Sequence, residues 1–113
     1  MRVAALVDDL LDRSRIAAAL PDAAVCRDRT AVAAADVIIV DLARYAADVA
    51  PLRATWPDAR IVAYGAHVDH AALAAARTDG ADEVLPRSRF FLDPAAAVAS
   101  PSDAMPPSDG GEG

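Results

Sequence analysis

The stretch that most constrains the fold is DVIIVDL, residues 36–42, in which four β-branched apolar residues stand in a row between two aspartates. β-Branched side chains favour extended backbone. A continuous apolar run of this kind is typical of a strand that is covered on both faces. The segment therefore predicts a central strand of a parallel sheet with helices on either side.

The rest of the chain alternates between short apolar runs and segments with helical spacing. The predicted strands are 3–7, 23–27, 36–42, 60–65 and 82–86, and the predicted helices are 10–19, 30–35, part of 45–55, 70–78 and 93–99. Because strand and helix alternate five times, we predict an α/β fold, a doubly wound domain around a five-stranded parallel sheet.

Composition limits what such a domain binds. The chain has 113 residues, a net charge of −6 and a sequence pI of about 4.6. Nucleic acids and anionic membranes are bound by a surplus of Lys and Arg, so we expect neither as a partner. The apolar start of the chain is too short to span a membrane and lacks a signal-peptide pattern, so we expect a cytoplasmic protein.

The composition changes at residue 100. Residues 100–113, SPSDAMPPSDGGEG, hold Pro, Ser, Gly and acids without an apolar stripe. This pattern predicts a disordered acidic tail after a single folded domain of residues 1–99. With no output domain in the sequence, we expect a stand-alone protein that signals through an interface.

Acidic residues follow two of the predicted strands. Asp8 and Asp9 follow the first strand, Asp41 ends the third, and Arg87 follows the fifth. Binding sites of such sheets lie at the carboxyl ends of the strands, so these side chains are expected to converge. Either Mg²⁺ or an ion pair of Arg87 with Asp8 or Asp41 would neutralise three carboxylates. Alternatively, Asp8 and Asp9 only cap the first helix.

Three segments together resemble the receiver domain of two-component response regulators. ALVDDLLDRSRI is similar to the family's first strand and acidic pair, DVIIVDL to its third strand, and GADEVLPRS to the lead into its fifth strand. The resemblance covers residues 2–99 and implies a flavodoxin-like sheet of strand order 2-1-3-4-5. It also implies phosphorylation of Asp41 by a histidine kinase, with Mg²⁺ held by Asp8, Asp9, Asp41 and the backbone carbonyl of Ala43.

The sequence departs from the family at the positions that report phosphorylation. Gly65 stands where the family has a Ser or Thr hydroxyl, Val84 where it has a switch aromatic, and Arg87 where it has Lys. Arg is planar and larger than Lys, and the two are not interchangeable. We therefore expect a degenerate receiver that acts through protein contacts with little or no phosphorylation, and the working phospho-acceptor is the alternative.

Other functions have less support in the sequence. A flavin or nucleotide site lacks a Gly-rich loop after the first strand, and no nucleophile stands in a catalytic arrangement, so we expect no enzyme. The segment HVDH, residues 67–70, is interpreted as a loop and helix cap rather than a zinc site. A protein partner or a second copy is expected to bind around Arg87, Arg89, Phe90 and Phe91 if one phenylalanine is exposed. The alternative is that both rings cover a thin core.

Overall fold

A computed structural model describes residues 1–99, and the predicted tail of residues 100–113 lies outside the described residues. Five strands form one sheet: β1 (Val3–Leu6), β2 (Ala24–Cys26), β3 (Val37–Asp41), β4 (Arg60–Gly65) and β5 (Glu83–Pro86). The order is β2-β1-β3-β4-β5 and every pairing is parallel. The predicted fold class and strand order are confirmed.

Six helices flank the sheet: α1 (Leu10–Ala19), α2 (Leu42–Tyr45), α3 (Val49–Thr55), α4 (His70–Asp79), α5 (Arg87–Leu92) and α6 (Pro94–Val98). The expected helix at 30–35 is wrong, because only a 3-10 turn, Arg29–Ala31, joins β2 to β3. The predicted last helix with its Asp-Pro start is confirmed as α6, in which the Asp93 side chain accepts from the N–H of Ala96, whereas α5 was not predicted.

The sheet separates two apolar clusters because alternate residues of each strand point to opposite faces. On one face, side chains of α2, α3 and α4 pack on the sheet, with Leu52 and Ile61 among the buried residues. On the other face, α1, α5 and α6 cover the sheet through Ile16, Phe90 and Val98. This second face carries the polar residues of the candidate site.

Helix ends follow the sequence signals. Asp69 accepts a hydrogen bond from the N–H of Ala72 and starts α4, as the interpretation of HVDH requires. Gly80 ends α4 with φ 119°, a left-handed conformation that favours glycine. Among residues 1–99, no helix is long and apolar enough to cross a membrane.

Candidate functional site

Asp41 ends β3, the central strand, and is nearly buried with 5 % of its surface exposed. Its Oδ1 accepts a hydrogen bond from the N–H of Ala43 at 3.0 Å, which makes Asp41 the N-cap of α2. Burial raises the pKa of the Asp41 carboxyl, and the hydrogen bond from Ala43 acts in the opposite direction. The observed contact of Ala43 with Asp41 is therefore made by its backbone N–H, whereas the predicted metal ligand is its carbonyl.

Asp8 and Asp9 have separate surroundings after β1. The Asp8 side chain is 39 % exposed and lies 3.8 Å from Arg27 Nε and 3.5 Å from Arg44 Nη1. Asp9 is exposed, and its Oδ1 accepts from the N–H of Asp12 at 2.9 Å, so it is the N-cap of α1. Capping is thus the observed contact for Asp9, whereas Asp8 is paired with arginines.

A metal site is not formed by these acids. Within residues 1–99, no three His, Cys, Asp or Glu side chains are grouped so that they could hold a metal ion. Asp8 has two arginines as neighbours, and one oxygen of Asp41 is held by a backbone N–H. In this arrangement Asp8, Asp9 and Asp41 are not grouped as ligands of one ion, and binding of Mg²⁺ by these acids with Ala43 stays a prediction.

Arg87 pairs with an acid that the sequence analysis did not select. Both guanidinium nitrogens Nη1 and Nη2 donate to the two carboxylate oxygens of Asp12, in a bidentate ion pair. The expectation that Arg87 pairs with Asp8 or Asp41 is therefore wrong. The reason is that the first turn of α1 turns Asp12 inward, toward the face of the sheet on which Arg87 lies.

Asp12 is fully buried, with 0 % of its surface exposed. In addition to the bidentate pair with Arg87, Asp12 Oδ2 accepts a hydrogen bond from the Tyr64 hydroxyl at 2.9 Å. The hydrogen bonds to Asp12 raise the pKa of Arg87, and burial, followed by the charge of Asp41, raises the pKa of Tyr64. Three donors therefore satisfy one buried carboxylate, as a charge removed from water requires.

Aromatic rings surround this ion pair. Tyr64 stacks on Phe90 at 4.8 Å between centroids, and Phe91 meets Tyr64 edge-on at 5.1 Å. The guanidinium of Arg87 lies 5.1 Å from the centroid of the Phe91 ring, and that of Arg15 lies 5.5 Å from it. Of the two alternatives, the one in which both rings cover the core is confirmed, because Phe90 is fully buried and Phe91 is half-buried against the same cluster.

The exposed apolar residue of this region is Leu92, at 80 % exposure, one position beyond the two rings. It lines a groove with Leu85, Arg89, Asp93, Ala96 and Ala97. Of the residues predicted for a contact region, Arg89 is exposed, and Leu92 is the exposed apolar side chain near it.

Gly65 ends β4 beside Asp41 and has little room for a side chain. A Cβ there would lie 3.3 Å from the Cβ of Leu42 and 3.4 Å from Leu73 Cδ2. The first contact is tight, so Leu42 would have to shift by a few tenths of an ångström, whereas the second is at the edge of ordinary van der Waals contact. The position that carries a hydroxyl in the resembled family therefore has only limited space for a side chain.

The sequence did hold a signal for Asp12. Asp12 and Ile16 are four residues apart, so helical periodicity places them on the same face of α1. Ile16 is an apolar residue that this helix must bury, and both residues are fully buried in the structure. A carboxylate on that face requires a positive partner, which identifies Asp12 as a site residue.

Comparisons with known proteins agree with the topology. No protein-family model matches the sequence, and a search of curated proteins finds no match. Among solved structures, a response regulator from Burkholderia pseudomallei with a phosphorylated aspartic acid, a calcium ion and citrate is 22 % identical, with a TM-score of 0.72 over 90 % of this chain and 68 % of that chain.

Two further structures are similar. The isolated receiver domain of RcsB from Salmonella enterica serovar Typhimurium, in the apo form, is 19 % identical, with a TM-score of 0.73 over 91 % of this chain and 88 % of that chain. The CheY-like protein TadZ from Pseudomonas aeruginosa is 19 % identical, with a TM-score of 0.64 over 78 % of this chain and 87 % of that chain. With the strand order β2-β1-β3-β4-β5, these similarities establish that the chain has the receiver-domain fold of response regulators.

Proposed function

We propose that this protein is a degenerate receiver-like signalling domain that acts through protein–protein contacts, with little or no switching by phosphorylation of Asp41. The observation that carries the proposal is the bidentate ion pair between Arg87 and the buried Asp12. An incoming phosphoryl group needs a positive side chain to offset its charge. Here the arginine after β5 is already occupied.

Gly65 supports the same proposal. A phosphoryl group on Asp41 would meet no hydroxyl at this position, because glycine has no side chain. A signal that depends on reorienting a hydroxyl therefore has no side chain to act on. Contact with another protein does not require that step.

The alternative function is phospho-acceptance by Asp41. It is favoured by the place of Asp41 at the carboxyl end of the central strand, where only its Oδ1 accepts a hydrogen bond from the described residues. The similar response regulator from Burkholderia pseudomallei carries a phosphorylated aspartic acid. Divalent metal binding belongs to this alternative, although the acids would have to rearrange to provide ligands.

Intact mass after incubation with acetyl phosphate and Mg²⁺ tests the choice between the two. We expect wild-type protein to gain no phosphoryl group, in common with the Asp41→Asn control. A gain of one phosphoryl group in the wild type but not in the control would replace the proposal by the alternative.

The proposed contact region lies around Arg89 and Leu92 on α5. Leu92 is 80 % exposed beside the half-buried Leu85, which provides an apolar centre with the charged Arg89 at its edge. Sedimentation velocity tests self-association through this region. We expect Leu92→Ser to weaken it, and Leu10→Ser, at a leucine 75 % exposed on α1, to leave it unchanged. Equal effects of the two substitutions would contradict this location.

A further inference from the structure

We infer that Asp12 is a positioning residue that holds Arg87 away from Asp41, and that this contact keeps the aspartate from being phosphorylated. The inference rests on the proposed function and assigns its regulation to one side chain of α1. On this inference Asp41 lacks the cation that its reaction needs, and removal of the Asp12 carboxylate makes Arg87 available to it.

The geometry around Arg87 supports a competition between two acids. Asp41 on β3 pairs in register with Tyr64 on β4, and the Tyr64 hydroxyl donates to Asp12. The charges of both Asp12 and Arg87 act on the pKa of Asp41, so all three groups lie within electrostatic reach. Among the described residues, however, the arginine forms its hydrogen bonds with Asp12 alone.

Asp12 wins this competition for physical reasons. Its carboxylate is fully buried, so an unpaired charge there costs far more than a charge in contact with water. It also offers both oxygens to the planar fork, whereas Asp41 Oδ1 is engaged by the N–H of Ala43. The Arg87 side chain is 41 % exposed, so it has solvent on one side into which it can turn when released.

The released reaction is a phosphoryl transfer. An oxygen of the ionised Asp41 attacks the phosphorus of an acyl phosphate such as acetyl phosphate, and a new O–P bond forms. The P–O bond to the acyl group breaks, and acetate leaves with the electron pair. The freed Arg87 guanidinium would offset the charge on the phosphoryl oxygens, and one such donor typically changes a rate by about 100-fold.

The test compares variants by intact mass after incubation with acetyl phosphate in buffer containing Mg²⁺. We expect Asp12→Asn to incorporate one phosphoryl group at a rate about 100-fold above the wild type. The double variant Asp12→Asn with Asp41→Asn should incorporate none. The Tyr64→Phe control removes one hydrogen bond to Asp12 but keeps the ion pair, so it should behave like the wild type.

Circular dichroism and thermal unfolding establish that each variant is folded. If Asp12→Asn fails to fold, the double variant Asp12→Leu with Tyr64→Phe replaces it. This pair removes the buried acid and its hydroxyl donor together, so neither is left buried without a partner. Its Arg87 is equally free, and the same gain in phosphorylation is expected.

The outcomes separate this inference from the proposed function. Phosphorylation of the wild type would overturn the proposed function. An unreactive wild type with an equally unreactive, folded Asp12 variant would overturn only the inference. A gain in phosphorylation produced by Arg87→Lys alone, with Asp12 present, would also overturn the inference. The reactivity of Asp41 would then depend on which cation follows β5 and not on the pairing of that cation with Asp12.

Discussion

Removal of Arg87 should destabilise the domain more than removal of its partner. Arg87→Met leaves Asp12 buried with the Tyr64 hydroxyl as its remaining side-chain donor. Stranding one member of a buried ion pair costs about 3–5 kcal/mol. Because Tyr64 still donates one hydrogen bond, we expect the lower end, a loss of about 3 kcal/mol in the free energy of unfolding.

Asp12→Asn should cost less, because the group it strands is not buried. The Arg87 side chain is 41 % exposed and keeps its stacking on Phe91, so water can replace the lost carboxylate. The free energy of unfolding should fall by the value of hydrogen bonds to a charged group, about 1.5–3 kcal/mol. Because Arg87 has access to solvent, we expect the lower value. The structure thus predicts an asymmetry between two substitutions in the same pair.

Urea unfolding followed by fluorescence provides the assay, since Trp56 is the only tryptophan and is half-buried against the core. Equal losses for Arg87→Met and Asp12→Asn would refute the reasoning.

Three further substitutions test other parts of the structure. Gly80→Ala should cost about 1–3 kcal/mol in thermal unfolding, because φ is 119° and the new Cβ would lie 2.8 Å from Arg53 Cγ. Gly65→Ser should cost about 1 kcal/mol through contact with Leu42 and give no phosphorylation by mass. Asp41→Asn should stabilise the protein at neutral pH, because the pKa of the Asp41 carboxyl is raised in the folded state and its ionisation therefore opposes folding. The difference in stability from the wild type should vanish as the pH falls below the ordinary pKa of aspartate.

The sheet could be predicted from the sequence because its strands carry strong local signals. DVIIVDL forms β3, and residues 37–41 are buried throughout. The helix expected at 30–35 failed because its residues, TAVAAA, have helical composition but belong to the short connection from β2 to β3, which must pass the strand β1 that lies between them. Asp28 fixes the start of a 3-10 turn there, accepting from the N–H of Thr30 at 2.9 Å. Local propensity does not include that geometric limit.

The sequence predicted that acidic and basic side chains meet at the candidate site, but not which of them form ion pairs. The reasoning that acids at the carboxyl ends of the strands need a positive charge was sound for Asp8, which lies near Arg27 and Arg44. Those two arginines were not selected because each belongs to a loop or short helix whose direction depends on the packed fold. For Asp8 the nearby positive charge comes from these arginines, whereas binding of Mg²⁺ stays a prediction.

The pairing of Arg87 shows why position after a strand is not sufficient to assign a partner. Arg87 and Asp12 are 75 residues apart, and both lie on the face of the sheet covered by α1 and α5. Asp8 and Asp9 precede α1, where side chains reach solvent, whereas the first turn of the helix directs Asp12 under it. A buried carboxylate competes for a cation more strongly than an exposed one, because only the buried one loses its water. The partner of Arg87 therefore follows from burial, which helical periodicity predicts, rather than from proximity to the ends of the strands.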